Sequence, residues 1–187
     1  MALRARVWRT RRLAAGDCRA GAAARGILAS PAMSPIASLL PASHVLVDVP
    51  AADKQAVFEQ VAALLEGTTG VTRGQILESL LARERLGSTG LGQGIAIPHG
   101  RVHGLREAIG AFVRTHDPIE FEAPDERSVN LIFVLLVPEK STDLHLELLG
   151  ELAQMFSDRE MRARLSAAAS SLEVQHLIAG WDARPAR

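Results

Sequence analysis

The sequence predicts a single α/β sandwich, in which helices pack against one β-sheet. The first observation is a run over 129–137 that is apolar except for Asn130, which is typical of a central strand covered on both faces. The second is a set of segments with apolar residues at helical spacing, notably 52–65 and 144–156. The third is the alternation of such segments with short strands, without an internal repeat, which favours helices layered on a sheet.

Strands and helices are expected to alternate from Ile36 onward. A short strand, 45–47, precedes helix 52–65, which Gly67 and Gly70 should end. Thr72 has the side chain of an N-cap for the next helix, 73–85. A glycine-rich loop then leads to a strand that Pro98 stops. The sequence thus predicts, in order, the loop 87–94, strands 95–97, 108–114 and 129–137, the turn 138–142, and helices 144–156, 159–165 and 172–178.

Composition limits the possible classes of function. A chain of 187 residues with 48% apolar content suits one domain with a real core. The single cysteine, Cys18, excludes a disulfide framework within the chain and fits a reducing, cytosolic compartment. The strongly apolar run 131–137 is seven residues long, whereas a membrane helix needs about 20, so we expect no membrane insertion.

The net charge of zero hides an asymmetry between the first 32 residues and the rest. Residues 1–32 carry seven arginines and one acid, Asp17, whereas 33–187 hold 14 basic and 20 acidic residues. An acidic domain without tyrosine does not favour nucleic acid, whose binding depends on cationic phosphate contacts and stacking. We therefore expect no nucleic-acid partner and instead a protein partner.

Residues 1–32 allow three interpretations. They could form a disordered tail, an organellar targeting segment, or translated sequence upstream of a true start at Met33. The last is favoured, because Met33-Ser34-Pro35 resembles a natural start. The domain is accordingly expected at 33–181, followed by a loose tail at 182–187.

The candidate chemistry is concentrated in the segment 87–100, GSTGLGQGIAIPHG. Its glycines would let backbone amides approach an anion, and a strand would deliver Pro98 and His99 to its end. Gly100 should leave the imidazole uncrowded. Because imidazole has a pKa near 6.5, a neutral ring is available as a nucleophile at pH 7. The segment lacks both the Walker lysine and the G-x-G-x-x-G spacing, so no nucleotide cofactor is expected.

The segment 87–101, GSTGLGQGIAIPHGR, strongly resembles the active-site segment of the bacterial phosphotransferase-system enzyme IIA family, fructose/mannitol type. Within that family it is most similar to the nitrogen-regulatory branch. The segment 131–158 also resembles the family, and the whole resemblance covers about residues 37–180. The resemblance implies an α/β fold with a mixed sheet flanked by helices on both faces. It further implies a cytoplasmic transferase component without a cofactor, phosphorylated on His99 Nε2 by a histidine-containing phosphocarrier protein.

The resemblance also implies that His145 stabilises the phosphoryl group. Ser141 or Thr142 can cap the helix that contains His145, which places the ring in the first turn. The positive end of the helix dipole there disfavours an imidazolium and favours an anion. The alternative is a core histidine bonded to a carbonyl.

Arg83 is the second implied phosphoryl stabiliser. It stands sixteen residues before His99, and a guanidinium could neutralise charge that develops on a transferring phosphoryl group. The alternative is a solvated helix arginine paired with Glu84 or Glu78.

Other polar residues near the motif receive structural interpretations. His103 lies four residues after His99, but Pro98 and Gly100 oppose the helix that a zinc H-x-x-x-H pair needs, so no metal is expected. Ser88 and Thr89 either donate to the phosphoryl group or shape the loop, with the second favoured. The remaining histidines are expected at the surface: His44, His116 and His176.

Two functions share this chemistry. The first is a regulator of nitrogen or potassium metabolism, whose phosphorylation state decides which unidentified target protein it binds. The alternative is a sugar-specific component that passes its phosphoryl group to a IIB domain for fructose- or mannitol-type uptake. The loop sequence and the absence of a IIB segment favour the regulator. Leu91 and Ile97 are candidates for a docking face, although Ile97 fits the core equally well.

Overall fold

The computed structural model describes residues 35–140 and 142–181, so the predicted terminal segments 1–32 and 182–187 lie outside the described residues. Helices and strands alternate as the sequence predicted. Their bounds are α1 Pro35–Leu39, a 3-10 turn Ala42–His44, β1 Val45–Val49, α2 Lys54–Thr69, α3 Arg73–Glu84, β2 Gly90–Gly92, β3 Ile95–Ala96, β4 His99–Val102, β5 Ile109–Ile119, β6 Val129–Pro138, α4 Thr142–Ser157, α5 Arg159–Ala167 and α6 Ser171–Ala179.

The strands form one mixed sheet in the order β1-β5-β6-β3-β2. β6 pairs antiparallel with β5 and parallel with both β3 and β4, which lie along the same side of it in one continuous register. β1 adds a parallel edge beside β5, and β2 folds back antiparallel on β3. The mixed sheet implied by the resemblance is confirmed.

The central strand β6 supplies both faces of the core. Ile132, Val134 and Leu136 join the cluster formed with α2 and α3. Phe133 and Leu135 join the opposite cluster, which includes α1 and α4 to α6. Burial of such a side chain contributes about 1.5–3 kcal/mol, so alternate residues of one strand hold both helical layers. The prediction of helices on both faces is therefore confirmed.

Helix ends follow local capping chemistry. Thr72 caps α3 through a capping box with Gln75, as the sequence predicted. The end predicted for α2 is wrong at Gly67, which lies inside the helix, where a glycine costs only about 1 kcal/mol. Gly70 ends α2 instead, because its φ of 69° is a left-handed conformation that glycine adopts without strain. No helix within the described ranges is long and apolar enough to cross a membrane.

The predicted bounds of β5 and of the glycine-rich loop are wrong, and one helix was missed. β5 continues to Ile119, which is buried and pairs with Val129, although the polar residues and proline before it interrupt the apolar pattern. The expected loop 87–94 contains strand β2. The five-residue helix α1 was missed, because so short a segment shows no periodicity, yet its Ile36 is fully buried.

The predicted surface position of His44 is also wrong. Its side chain is buried, and Nδ1 lies 3.1 Å from the Gly110 carbonyl oxygen. Because a carbonyl only accepts, Nδ1 carries the proton. Burial lowers the pKa of His44, and the bond to the carbonyl opposes this in part. His116 and His176 are exposed, as expected.

Candidate active site

His99 lies at the start of β4, not at the end of the preceding strand as the sequence predicted. Pro98 separates β3 from β4 because proline has no N–H to give to the sheet, while its carbonyl accepts from Leu135 N. The ring enters a cavity of about 440 Å³. The cavity is lined by residues of α3, the turn after it, β4 and α4: Ser79, Ala82, Arg83, Leu86, His99, Gly100, Arg101 and His145.

The hydrogen bonds of His99 define its tautomer. Nδ1 lies 2.8 Å from the Ile97 carbonyl oxygen, which can only accept, so Nδ1 carries the proton. Nε2 is then the nitrogen with the lone pair, and it accepts a hydrogen bond of 3.0 Å from Arg83 Nε. The half-buried ring therefore presents Nε2 to the cavity as its basic atom.

Burial is the main cause that lowers the pKa of His99 below its ordinary value. The hydrogen bond to Ile97 raises this pKa, the charge of Arg83 lowers it, and the charge of Glu84 raises it. The net direction keeps the imidazole neutral at pH 7. A neutral ring with an unprotonated Nε2 is the nucleophilic form of histidine.

Arg83 is held against His99 by a second contact. Its Nη1 donates to the Gly87 carbonyl at 3.0 Å, four residues further along the chain. The alternative pairing with Glu84 does not occur, because that buried carboxylate accepts from Lys54 and from Thr89. The guanidinium thus stands beside His99 Nε2 and places its charge at the cavity.

His145 lies beside His99, as the resemblance implied. The two ring centroids are 5.1 Å apart, with the ring planes at 73°. Only 8% of His145 is exposed, and its Nε2 has no hydrogen-bond partner within residues 35–140 and 142–181. The carbonyl partner of the core-histidine alternative is therefore not found there. Of its predicted caps, Ser141 lies outside the described residues and Thr142 is the first residue of α4.

The pKa of His145 is lowered chiefly by burial. The charges of Arg101 and Arg83 lower it further, and so does His99 whenever it is protonated. His145 is consequently neutral, and it has a proton to donate without a net charge.

Sequence reasoning missed Arg101. Its Nε donates to His145 Nδ1 at 3.5 Å from the strand that carries His99. Residues two apart on a strand share a face, so the pairing of His99 with Arg101 could have been found once β4 was recognised. Strand β4 was not predicted from the sequence, because Pro98 was interpreted as the residue that ends the preceding strand.

Gly100 has a different role from the one predicted. A Cβ at this position would lie 2.3 Å from Ser79 Oγ, so the surroundings are crowded. The absent side chain lets α3 approach β4 closely, and Ser79 Oγ donates to the Arg101 carbonyl at 2.9 Å. Gly100 therefore sets the distance between the helix that carries Arg83 and the strand that carries His99.

The glycine-rich segment builds a hairpin more than an anion cradle. Gly90 packs so tightly that a Cβ would lie 2.9 Å from Ala123 Cβ. The backbone N–H of Gln93 donates to the Asp125 carboxylate at 2.7 Å. Thr89 Oγ1 donates to Glu84, and Ser88 Oγ donates to the Phe121 carbonyl. These contacts favour the loop-shaping role for both hydroxyl groups.

The remaining candidates lie outside the cavity lining. His103 is exposed, and its Nδ1 lies 3.0 Å from a carboxylate oxygen of Glu139. Leu91 is 49% exposed, whereas Ile97 is buried in the core. No group of three or more potential metal ligands occurs in the part of the chain that the structure describes.

Comparison with known proteins supports the sequence resemblance. Residues 38–180 match the family model described as phosphoenolpyruvate-dependent sugar phosphotransferase system, EIIA 2. A nitrogen regulatory protein of Pseudomonas aeruginosa is 42% identical over 141 residues, which cover 75% of this chain and 92% of that protein. A fructose-specific EIIA component of Haloferax volcanii is 31% identical over 145 residues, covering 77% of this chain and 94% of that protein.

A solved structure agrees with these sequence matches. The crystal structure of nitrogen regulatory protein IIA-Ntr from Neisseria meningitidis is 47% identical, with a TM-score of 0.74, and covers 76% of this chain and 98% of that one. The family model spans most of the chain, and the matched relatives are covered almost completely. The chain therefore belongs to the EIIA 2 family of the phosphoenolpyruvate-dependent sugar phosphotransferase system, a family of phosphotransfer components.

Proposed function

We propose that His99 accepts a phosphoryl group at Nε2 from a histidine-containing phosphocarrier protein, and that the chain acts as a regulator through its phosphorylation state. The observation that carries the proposal is the neutral imidazole whose Nε2 lone pair faces a cavity shared with Arg83 and His145. A single nucleophilic nitrogen with donors beside it is what phosphoryl transfer between two histidines requires.

The transfer step balances without a cofactor or an external base. The Nε2 lone pair of His99 forms the new N–P bond while the N–P bond of the donor breaks, and the electron pair leaves with the donor imidazole. The Nδ1 proton of His99 stays on the ring, hydrogen-bonded to the Ile97 carbonyl, so the ring carries a positive charge beside the dianionic phosphoryl group once the N–P bond has formed. Arg83 Nε, which donates to Nε2 in the resting state, can then donate to a phosphoryl oxygen.

The surroundings of the cavity suit a protein partner. Leu86 lines the cavity and is 84% exposed, and Leu146, next to His145, is 66% exposed. Exposed apolar side chains beside a charged site are typical of surfaces that bind proteins. Partners of this kind would place the chain in the cytoplasm, as expected from the sequence.

The regulatory role is favoured by relatives that share more than 40% of their sequence with this chain. The bacterial proteins at 42% and 47% identity are called nitrogen regulatory proteins, whereas the fructose-specific component is 31% identical. That component supports the alternative, in which the phosphoryl group passes to a IIB domain during sugar uptake. The chemistry at His99 is the same in both cases.

The site is tested by phosphorylation with phosphoenolpyruvate, enzyme I and the phosphocarrier protein. Wild-type chain should acquire acid-labile, base-stable label that maps to His99 Nε2, and His99→Ala should acquire none. His103→Ala is the matched control, because this exposed histidine lies outside the cavity lining and should leave labelling unchanged. Labelling of the His99→Ala protein at the wild-type level would refute the assignment.

Regulation is tested by comparing the partners of the two phosphorylation states. A phosphoryl group brings nearly two negative charges, which Arg83 and His145 offset only in part and which a partner packed over the cavity would meet. We expect at least one target to prefer the unphosphorylated form, by about 1–3 kcal/mol. If both forms bind the same proteins equally and a IIB domain is the only acceptor found, the sugar-uptake alternative replaces the regulatory one.

A further inference from the structure

Arg101 contacts His145 from the strand that carries the nucleophile. Its side chain lines the cavity beside His99, and its Nε donates to His145 Nδ1 at 3.5 Å. The contact is long for a hydrogen bond, but the donor carries a full charge, which strengthens it. Neither Arg101 nor this contact is needed to explain the nucleophilicity of His99.

The contact decides which nitrogen of His145 carries the proton. A guanidinium has donors and no acceptor, so the nitrogen facing Arg101 Nε must offer a lone pair. Nδ1 of His145 is then unprotonated, and the single proton of the neutral ring is on Nε2. That N–H is buried and has no acceptor within the described ranges of the chain.

A buried donor without a partner is costly, because it has lost its bonds to water. Such a group is explained if its acceptor arrives with a ligand. A phosphoryl group on His99 would bring three acceptor oxygens into the cavity that His145 shares, with the ring centroids 5.1 Å apart.

We propose that Arg101 is a positioning residue, which holds His145 in the Nε2-protonated tautomer so that the ring can donate to the phosphoryl group on His99. This inference rests on the proposed function of His99. Without Arg101, His145 could place its proton on Nδ1 and turn a lone pair toward the phosphoryl oxygens, or it could take up a second proton.

The charges around His145 agree with this role. Arg83 from α3 and both His99 and Arg101 from β4 act on the ring, and each lowers the pKa of His145, in addition to burial. Loss of the Arg101 charge should therefore raise this pKa. His145 would then titrate at higher pH and become cationic more readily.

The first experiment uses the unphosphorylated protein and imidazole nitrogen NMR. Wild-type His145 should be protonated on Nε2, and Arg101→Met should raise its titration midpoint and populate the Nδ1-protonated form. Arg101→Lys should keep the midpoint near the wild-type value because it keeps the charge. Arg106→Met, at an exposed position between β4 and β5, is the matched control and should change neither. A wild-type ring protonated on Nδ1, or an unchanged midpoint in Arg101→Met, would overturn the proposal.

The second experiment measures transfer from the phosphorylated carrier protein. Arg101→Met should slow transfer about 10-fold, which corresponds to about 1.4 kcal/mol, and the loss should deepen at low pH. In a His145→Ala background the same change should have little further effect, because Arg101 acts through His145. Independent, multiplying effects would show that Arg101 contacts the phosphoryl group directly and would overturn the positioning role. Wild-type protein that takes no label on His99 would instead refute the proposed function, whereas the NMR result does not depend on phosphorylation.

Discussion

Replacing His145 by alanine removes a buried N–H from the cavity of His99. In the proposed carrier this N–H donates to a phosphoryl oxygen whose charge grows during transfer. Loss of one preorganised donor of this kind slows a reaction about 10²- to 10³-fold, or about 2.7–4 kcal/mol. The ring is only 8% exposed, so water cannot easily replace the lost donor. We therefore expect His145→Ala to slow phosphoryl acceptance by at least about 10²-fold.

The effect on stability should be small by comparison. The alanine variant loses the packing contacts of the ring, which is unfavourable, but it also removes a buried N–H that has no partner in the described structure. An unsatisfied buried donor costs about 1–3 kcal/mol, and its removal offsets much of the lost packing. The melting temperature of His145→Ala should consequently stay within a few degrees of wild type. This separation distinguishes a functional ring from a structural one.

The measurement is single-turnover transfer from the phosphorylated carrier protein, with thermal unfolding measured in parallel. His145→Gln should lose less rate than the alanine variant, because its amide can still donate a hydrogen bond. His103→Ala, an exposed histidine paired with Glu139, should transfer at the wild-type rate. A His145→Ala protein that folds normally and transfers as fast as wild type would refute the proposed role of the ring.

Three further changes test the rest of the site. Arg83→Ala should slow transfer and raise the pKa of His99, so that, as the pH is lowered, its rate should begin to fall at a higher pH than the wild-type rate does. Arg83→Lys should recover the rate only partly, because one ammonium cannot reproduce both contacts of the guanidinium. Gly100→Ala should lower the free energy of unfolding by about 1–3 kcal/mol, because its Cβ meets Ser79 Oγ, and adding Ser79→Ala should recover part of this in denaturant titrations. The free energy of unfolding should fall as the pH drops below 6.5, because His44 has a lowered pKa in the folded protein and binds a proton more readily in the unfolded chain. For this residue the slope is at most about 1.4 kcal/mol per pH unit, and His44→Gln should reduce it.

The fold class could be predicted because its signals are local. The apolar run of β6 and the helical spacing in α4 each encode burial within one segment, and the structure buries those residues. The bounds of β5 could not be predicted, because the pairing of Ile119 with Val129 depends on a partner strand. The predicted surface position of His44 was wrong for the same reason, since the carbonyl that its Nδ1 bonds belongs to Gly110, 66 residues away.

The site could be predicted only as far as its motif extends along the chain. His99 stands in a long and specific segment, whereas Arg83 and His145 depended on the resemblance. The structure brings both beside His99 from α3 and α4, which no spacing in the sequence encodes. Arg101 lay within the quoted segment and was still missed, because its importance depends on a contact 44 residues away.

The resting site and the phosphorylated site use the same donors for different acceptors. In the resting site Arg83 donates to His99 Nε2, and burial, together with the positive charges around the two rings, lowers the pKa values of His99 and His145. Burial and these charges both disfavour protonation, so both rings stay neutral and His99 Nε2 keeps its lone pair. A dianionic phosphoryl group reverses the balance, because the guanidinium of Arg83 and the unpaired N–H of His145 then face negative charge. One arrangement thus keeps both rings neutral before transfer and stabilises the phosphoryl charge after it. A proton taken up by His145 before transfer would end that neutrality, and it would not improve the geometry with which the ring donates to the phosphoryl group.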